Sequence, residues 1–362
     1  MEFRQSALES VGMSSDFWSD RSVFLTGHTG FKGGWMALWL SHMGARVHGY
    51  SLTPPTTPNF FTVVDLKNRL QQSTIGDIRN LSPLSDALKV AKPSVVIHMA
   101  AQPLVRESYN TPVETFTANV MGTVNLLESV RQTDTVEAVV NITTDKCYEN
   151  QECIQAYREN DRLGGRDPYS SSKACAELVT TAYRHSFLAN SSVQVATVRA
   201  GNVIGGGDWA TDRLIPDFLR ALDAGETLCI RSPNAVRPWQ HVLEPLSGYL
   251  TLAEKLVQEG NEFANAWNFG PEESDAMPVS WIVEQLCSRV SGAKWEIEGR
   301  SQPHEAGLLK LDSAKAKAHL GWSPRLSLEI ALNKTVDWHL AWRRGQNMSA
   351  FSIQQIEAYL AA

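Results

Sequence analysis

Residues 22–52, SVFLTGHTGFKGGWMALWLSHMGARVHGYSL, decide the fold. Positions 22–25 are a short apolar run closed by glycine, as a parallel strand buried on both faces requires. Trp35, Leu38, Trp39 and Met43 then recur at helical spacing, and Gly44 ends the helix. Residues 46–51 read as a second strand. Between the first strand and the helix stand Gly27, Gly30 and Gly33, spaced GxxGxxG. Without Cβ atoms they allow a tight turn and close backbone approach to a pyrophosphate. The helix N-terminus behind them supplies N–H groups and a favourable dipole. This turn, in the first βαβ unit, predicts a bound dinucleotide.

The alternation continues outward. Residues 73–78, 94–100 and 137–144 have the composition of strands, with helical patterns at 81–91 and 113–131 between them. Such alternation predicts an α/β fold: a Rossmann-type, doubly wound parallel sheet with helices on both faces. The pattern loosens after Ala200, where GNVIGGGDWA is loop-like. Shorter strands at 228–232, 266–270 and 294–299, separated by helices, predict a smaller C-terminal α/β substrate-binding lobe. The expected organisation is a cofactor domain over 17–200, a substrate lobe over 201–345, and terminal extensions at 1–16 and 346–362.

Composition narrows the function. The 362 residues are 43% apolar, enough for a substantial core, and 33 basic against 39 acidic side chains give −6. With no long basic run, nucleic acid is not the expected partner. The five cysteines form no C-x-x-C, and no His/Cys/Asp cluster has ligand spacing, so no disulfide framework and no metal is predicted. The first 20 residues lack the apolar centre of a signal peptide, and no apolar run approaches a membrane span, so the expected location is the cytoplasm.

Two further stretches carry chemistry. NITTDKCYEN (141–150) starts as an apolar strand and ends in two hydroxyls, Thr143 and Thr144, a carboxylate, Asp145, and an amine, Lys146. YSSSK sets Tyr169 and Lys173 four apart, on one face of a helical pattern over 169–188. Lys173 is expected to lower the phenol's pKa, making Tyr169 a usable proton acceptor, and to hold the nicotinamide ribose. The choice between NAD and NADP stays open on this stretch: the second strand runs into VHGYSLTPP, with neither an acid for the ribose hydroxyls nor an arginine for a 2′-phosphate. Asp77, in GDIRN, is a candidate for the adenine edge or a plain turn residue.

GxxGxxG, HMAAQ, TTDK and YxxxK, in that order, resemble the extended short-chain dehydrogenase/reductases. TTDK falls where their nucleotide-sugar 4,6-dehydratase branch carries Thr-Asp-Glu. The likeness runs from about Phe17 to about Trp342, through GHTGFKGGW, HMAAQPLVR, DPYSSSK, RAGNVIGGGDWA, DRLIPD, RPWQHVLEPLSGY, WNFGP and HEA, and is nearest to branch members acting on a CDP-linked hexose. It implies bound NAD, a nucleotide-sugar substrate and a redox-neutral elimination in deoxysugar biosynthesis. Oxidation at C4 acidifies the C5 proton, water leaves across C5 and C6, and the hydride returns to C6.

The resemblance also implies roles. Cofactor contacts fall on Gly27, Gly30, Phe31, Lys32, Gly33, Asp77, Ile78, Ala100, Ala101, Gln102, Asn119, Tyr169 and Lys173. Thr144 would hydrogen-bond O4 beside Tyr169, Asp145 would protonate O6, and Lys146 stands where many relatives carry the glutamate base. A lysine is a base only when neutral, so either its surroundings discharge it or it stays charged and stabilises the enolate. Glu159 and Asp161, in the following loop, are back-up bases. Arg106, Asn202, Arg213, Arg231, Arg237, His241 and Glu305 are the implied nucleotide-sugar contacts. A homodimer is implied through a four-helix bundle formed by the helix at 113–131 and the helix after Tyr169. A nucleotide-sugar 4-epimerase would share everything but the acid–base pair, and a non-catalytic NAD(H) sensor would need neither that pair nor Tyr169. TTDK separates the epimerase reading, and Thr144, Asp145, Tyr169 and Lys173 together stand against a sensor.

Overall fold

The computed structural model describes residues 15–152, 154–298 and 307–362. In chain order its first ten strands are β1 (Ser22–Thr26), β2 (Arg46–Ser51), β3 (Gln72–Ile75), β4 (Val95–His98), β5 (Ala138–Ile142), β6 (Gln194–Ala200), β7 (Asn202–Ile204), β8 (Thr227–Ile230), β9 (Val236–His241) and β10 (Ala266–Phe269). Seven of them pair in the order β10-β6-β5-β4-β1-β2-β3, parallel throughout. Every residue of β1, β4 and β5 is buried, which is why these strands read as largely apolar runs.

The strand order reverses between β1 and β4, and a crevice opens there at their carboxyl ends. The glycine turn sits at that point. Gly27 has φ +79°, and a Cβ on it would lie 2.8 Å from the Ala100 nitrogen. A Cβ on Gly33 would lie 2.1 Å from the Gly27 oxygen. Neither position admits a side chain, so the turn brings the helix Phe31–His42 tight against the strand. That helix buries Trp35, Leu38 and Trp39 in the core on one sheet face. Leu84, Leu88, Leu126 and Val130 cover the other face.

The expected helix at 81–91 is Leu81–Ala91. The one expected at 113–131 is a run of Pro112–Phe116, a π turn at Thr117–Met121, and Gly122–Arg131. The Tyr169 helix is Pro168–Ser186, opened by Pro168 and by Asp167, whose carboxylate accepts from the Ser170 N–H at 2.9 Å.

The smaller lobe contains a three-stranded sheet, β11 (Ala276–Pro278) with β9 and β7, and a two-stranded one, β12 (Lys294–Ile297) with β8. Ile215, Phe218, Ile282, Leu286 and Leu332 form its core.

The chain is more interleaved than its sequence suggests. Residues 266–270, expected in the small lobe, supply β10, which lengthens the main sheet beside β6. Residues 346–362, expected as an extension, hold the helix Met348–Leu360, which buries Ile356, Tyr359 and Leu360 in the main core. Tyr359 meets Trp39 edge to face at 5.7 Å and donates to Glu244 Oε2 at 2.9 Å. The outer side of the Phe31–His42 helix needs an apolar cover, and the end of the chain provides it.

Candidate active site

A cavity of about 820 Å³ lies at the carboxyl ends of the strands, between the main sheet and the smaller lobe. Gly27, Gly30, Phe31, Lys32 and Gly33 line its floor, and Asp77, Ile78, Ala100, Ala101 and Gln102 line one wall. Thr144, Lys146, Tyr169 and Lys173 stand midway, with Arg106, Asn202, Arg213, Arg231 and Arg237 also on the wall.

The strand end explains the midpoint. β5 stops at Ile142, and Thr143 is held by its hydroxyl on Glu177 Oε1 and by its N–H on the Val198 oxygen at 2.8 Å. Thr144 then opens a short turn, Asp145–Cys147, with its hydroxyl accepting from the Lys146 N–H at 3.4 Å. The same hydroxyl donates to Asp145 Oδ1 at 3.0 Å and is hydrogen-bonded to the Tyr169 phenol. Lys146 Nζ donates to Asp145 Oδ1 at 3.2 Å and to Asn202 Oδ1 at 3.3 Å. Asp145 is fully buried behind this pair and has no surface on the cavity; its Oδ2 has no hydrogen-bond partner among the described residues.

Lys173 donates to the Ile142 oxygen at 3.1 Å, and burial pushes it down to about 8 while Glu177 pulls the other way. The expectation that Lys173 lowers the Tyr169 phenol is corrected here. Burial dominates and raises that phenol to about 12, the hydrogen bond with Thr144 opposes the rise, and Asp145 adds to it.

Other expectations are corrected too. His241 is wholly buried, beside Trp35 at a ring distance of 6.3 Å, and does not reach the cavity; it lies at the end of β9, where the chain turns inward. Asn119 does not line the cavity either. Its side chain accepts from the Gln102 N–H at 2.8 Å and donates to the Gln102 oxygen and to Ser172, so it shapes the wall from behind. Glu159 accepts from the Asn268 N–H at 2.9 Å, Asp161 accepts from the Arg158 N–H at 2.7 Å, and neither lines the cavity. Asp77 lines it, but its carboxylate is taken up by Arg79, Nε to Oδ2 at 2.8 Å, as in a turn residue. Glu305 lies outside the described residues.

Several participants escaped the sequence reading. Asp208 holds Arg213 at 2.9 Å, and Asp212 holds Arg231 at 3.1 Å with Arg106 at 3.9 Å. These carboxylates orient Arg213, Arg231 and Arg106, and their place in the loop after β7 gave no periodic signal. Tyr249, buried on the helix Leu243–Gln258, accepts a hydrogen bond from Lys32 at 2.9 Å.

The residues present fit a dinucleotide. The glycine turn opens onto the cavity at a topological switch point, and the cavity runs unbroken from the turn to Tyr169 and Lys173.

Comparison with known proteins gives the class. The chain belongs to the family described as GDP-mannose 4,6 dehydratase, whose model matches residues 24–335. That places it among the NAD-dependent nucleotide-sugar dehydratases. More particularly, it is 52% identical to the CDP-glucose 4,6-dehydratase of Salmonella typhimurium over 356 residues, 97% of this chain and 99% of that one. It is 25% identical to the dTDP-glucose 4,6-dehydratase of Xanthomonas campestris, over 92% of this chain and 98% of the other. Among solved structures, MoeE5 in complex with UDP-glucuronic acid and NAD superposes with a TM-score of 0.74 at 25% identity, covering 90% of this chain and 99% of that one.

Proposed function

We propose that this chain is a CDP-D-glucose 4,6-dehydratase, forming CDP-4-dehydro-6-deoxy-D-glucose and water with NAD in the cavity. The single observation that carries it is the Asp145–Lys146 ion pair beside Tyr169, in a chain 52% identical to a CDP-glucose 4,6-dehydratase. An epimerase has no use for that pair.

NAD, when bound, would supply the hydride acceptor for C4, the hydride donor for C6 and a positive charge that favours ionisation of a nearby phenol. The glycine turn with Gly27, Gly30 and Gly33 would hold its diphosphate. Tyr169, hydrogen-bonded to Thr144, takes the O4 proton. Lys146 and Asp145 perform the elimination. Moving one proton across their 3.2 Å contact turns an ammonium and a carboxylate into an amine and a carboxylic acid. The amine then takes the C5 proton, the acid's proton passes to the C6 hydroxyl through the Thr144 hydroxyl that bonds Asp145 and lines the cavity, water leaves, and the ammonium of Lys146 gives a proton back to C5 as the hydride arrives at C6. Asn202, by accepting from Lys146, holds the amine in place. Arg213, Arg231 and Arg237 supply charge for the nucleotide diphosphate, and Arg106 lies where it meets the sugar or the diphosphate.

A homodimer belongs to the same reading. Val113, Phe116 and Met121, together with Leu178 on the Tyr169 helix, are 76, 37, 49 and 58% exposed on segments that pack side by side. A second copy covering them forms a four-helix bundle. Among the described residues no helix is long and apolar enough to cross a membrane, in keeping with a cytoplasmic enzyme.

Incubation with NAD and CDP-, dTDP-, GDP- or UDP-glucose, followed by mass spectrometry, tests the assignment. Loss of water from the CDP sugar is expected. Unchanged mass with altered C4 stereochemistry would favour an epimerase, and binding without turnover of any of the four would favour a sensor.

A further inference from the structure

The first turn of the helix Leu214–Ala224 carries an acid that the elimination does not use, Asp217. Its backbone N–H donates to the Arg213 oxygen at 2.9 Å, so the two side chains share one face, a turn apart. Arg213 lines the cavity and so does Asp217, about 6 Å further along the helix axis. Asp217 Oδ1 accepts from Arg220 Nη2 at 2.5 Å, and Arg220 also donates to the Trp209 and Ala210 oxygens. Among the described residues Oδ2 accepts no hydrogen bond. The neighbouring carboxylates are occupied: Asp208 holds Arg213, and Asp212 holds Arg231. Burial raises the Asp217 carboxyl and the hydrogen bond from Arg220 opposes that rise, with Asp212 and Arg231 the further charges in reach.

What Asp217 faces follows from the rest of the cavity. Thr144 and Tyr169 mark where the hexose reacts. The diphosphate comes next, at Arg213, Arg231 and Arg237. The nucleoside must lie beyond them, between the helix Leu214–Ala224 and β8, which pack together. The lining there includes Leu214, Leu228, Ile230, Ala235 and Val279, all apolar, with Asp217 among them. Apolar walls take the faces of any pyrimidine ring, and orientation and choice fall to the few polar groups. The edges of the rings differ. Cytosine presents an amine where uracil and thymine present a carbonyl. A carboxylate oxygen accepts from the first and repels the second. Resting on the reading that CDP-glucose is the substrate, we propose that Asp217 reads the base, its free Oδ2 accepting from the exocyclic amine of cytosine. Asp217 thus sorts nucleotides without entering the elimination.

Binding of CDP and UDP, measured by calorimetry with NAD present, is the test. The two ligands share ribose and diphosphate and differ only in the base. Wild type should favour CDP by about tenfold to a hundredfold. In Asp217→Asn the amide offers either a donor or an acceptor. CDP should then weaken, UDP should tighten, and the two affinities should come within about threefold of each other. A merely structural role cannot move them in opposite directions. Arg220→Gln breaks the ion pair on the helix but leaves Oδ2 in place, and should keep the preference for CDP. Asp217→Asn with the wild-type ratio would overturn the proposal. So would a variant in which both affinities fall alike, which would put the carboxylate on the ribose, or Arg220→Gln losing the preference to the same extent. Wild-type protein that binds UDP as tightly as CDP would overturn the CDP reading itself.

Discussion

Arg199 grips both carboxylate oxygens of Glu177, Nε to Oε1 and Nη2 to Oε2, each at 2.9 Å, beneath the strand end that carries the acid–base loop. Both side chains are almost wholly buried, at 3% and 2% exposure. Thr143 and Thr197 donate to the same carboxylate, and Arg199 Nη1 donates to the Tyr148 hydroxyl at 2.8 Å and to the Glu159 oxygen at 3.1 Å. Glu177 lies one turn after Lys173 on the Tyr169 helix. One ion pair therefore locks that helix, the loop after β5 and the segment around residue 159 into a single body. Burial alone would raise Glu177, but the hydrogen bonds and charge of Arg199 outweigh it and hold the carboxyl below its usual range.

Breaking this pair from one side should be severe. Glu177→Gln leaves the guanidinium buried without a counter-charge, a loss of about 3–5 kcal/mol. Urea unfolding of the variant measures it. The pH dependence has a definite sign: a lowered carboxyl stabilises the fold above its unfolded pKa, and that stability drains away as pH falls through the folded value. The variant's stability should accordingly vary less than wild type's in the acid range.

The amine of Lys146 is the group whose removal separates elimination from oxidation. Lys146→Met should lower kcat by about 10²–10⁴-fold, the usual worth of a positioned base. Turnover in D2O provides the check: wild type places deuterium at C5, and the variant should lose that exchange in step with the rate. Normal exchange at a normal rate would remove Lys146 from the mechanism.

Thr144 links the two halves of the chemistry through its hydroxyl. Its hydrogen bond opposes the rise that burial imposes on the Tyr169 phenol. Thr144→Val should move the acid limb of kcat/KM to higher pH, because a phenol harder to ionise needs a more alkaline medium, and should cost about tenfold to a hundredfold at pH 7.5. Thr144→Ser keeps the hydroxyl and should restore both the rate and the profile.

Glu244 ties the last helix to the core with its carboxylate accepting from the Arg325 and Leu326 N–H groups and from Tyr359. Burial raises it to about 7, with those hydrogen bonds pulling it down. A carboxyl raised on folding stabilises below its unfolded pKa, and the contribution is lost as pH rises through about 7. Wild-type stability should therefore fall between pH 5 and pH 8, by at most about 3 kcal/mol. Glu244→Gln, scanned by calorimetry, should flatten that slope.

The sequence disclosed what local chemistry dictates. Gly27 and Gly33 are legible because no other residue fits their contacts, and the buried strands are legible because they are largely apolar. Residues 266–269 look like any short strand, and only pairing with β6 shows which sheet takes them. The helix Met348–Leu360 was missed because its apolar face has meaning only against Trp39 and Glu244. His241 was carried over from a motif whose neighbours do reach the cavity, and burial of its own ring cannot be read from spacing. The direction of the Tyr169 shift failed for the same reason: charge neighbours are guessed from sequence more easily than desolvation is.

Deuterium placed at C4 of CDP-glucose tests the central claim most directly. With this protein and unlabelled NAD, the label should appear in the C6 methyl group of the 4-keto product, with none released to water. Label retained at C4 in a product of unchanged mass, or washed into the solvent, would contradict the account.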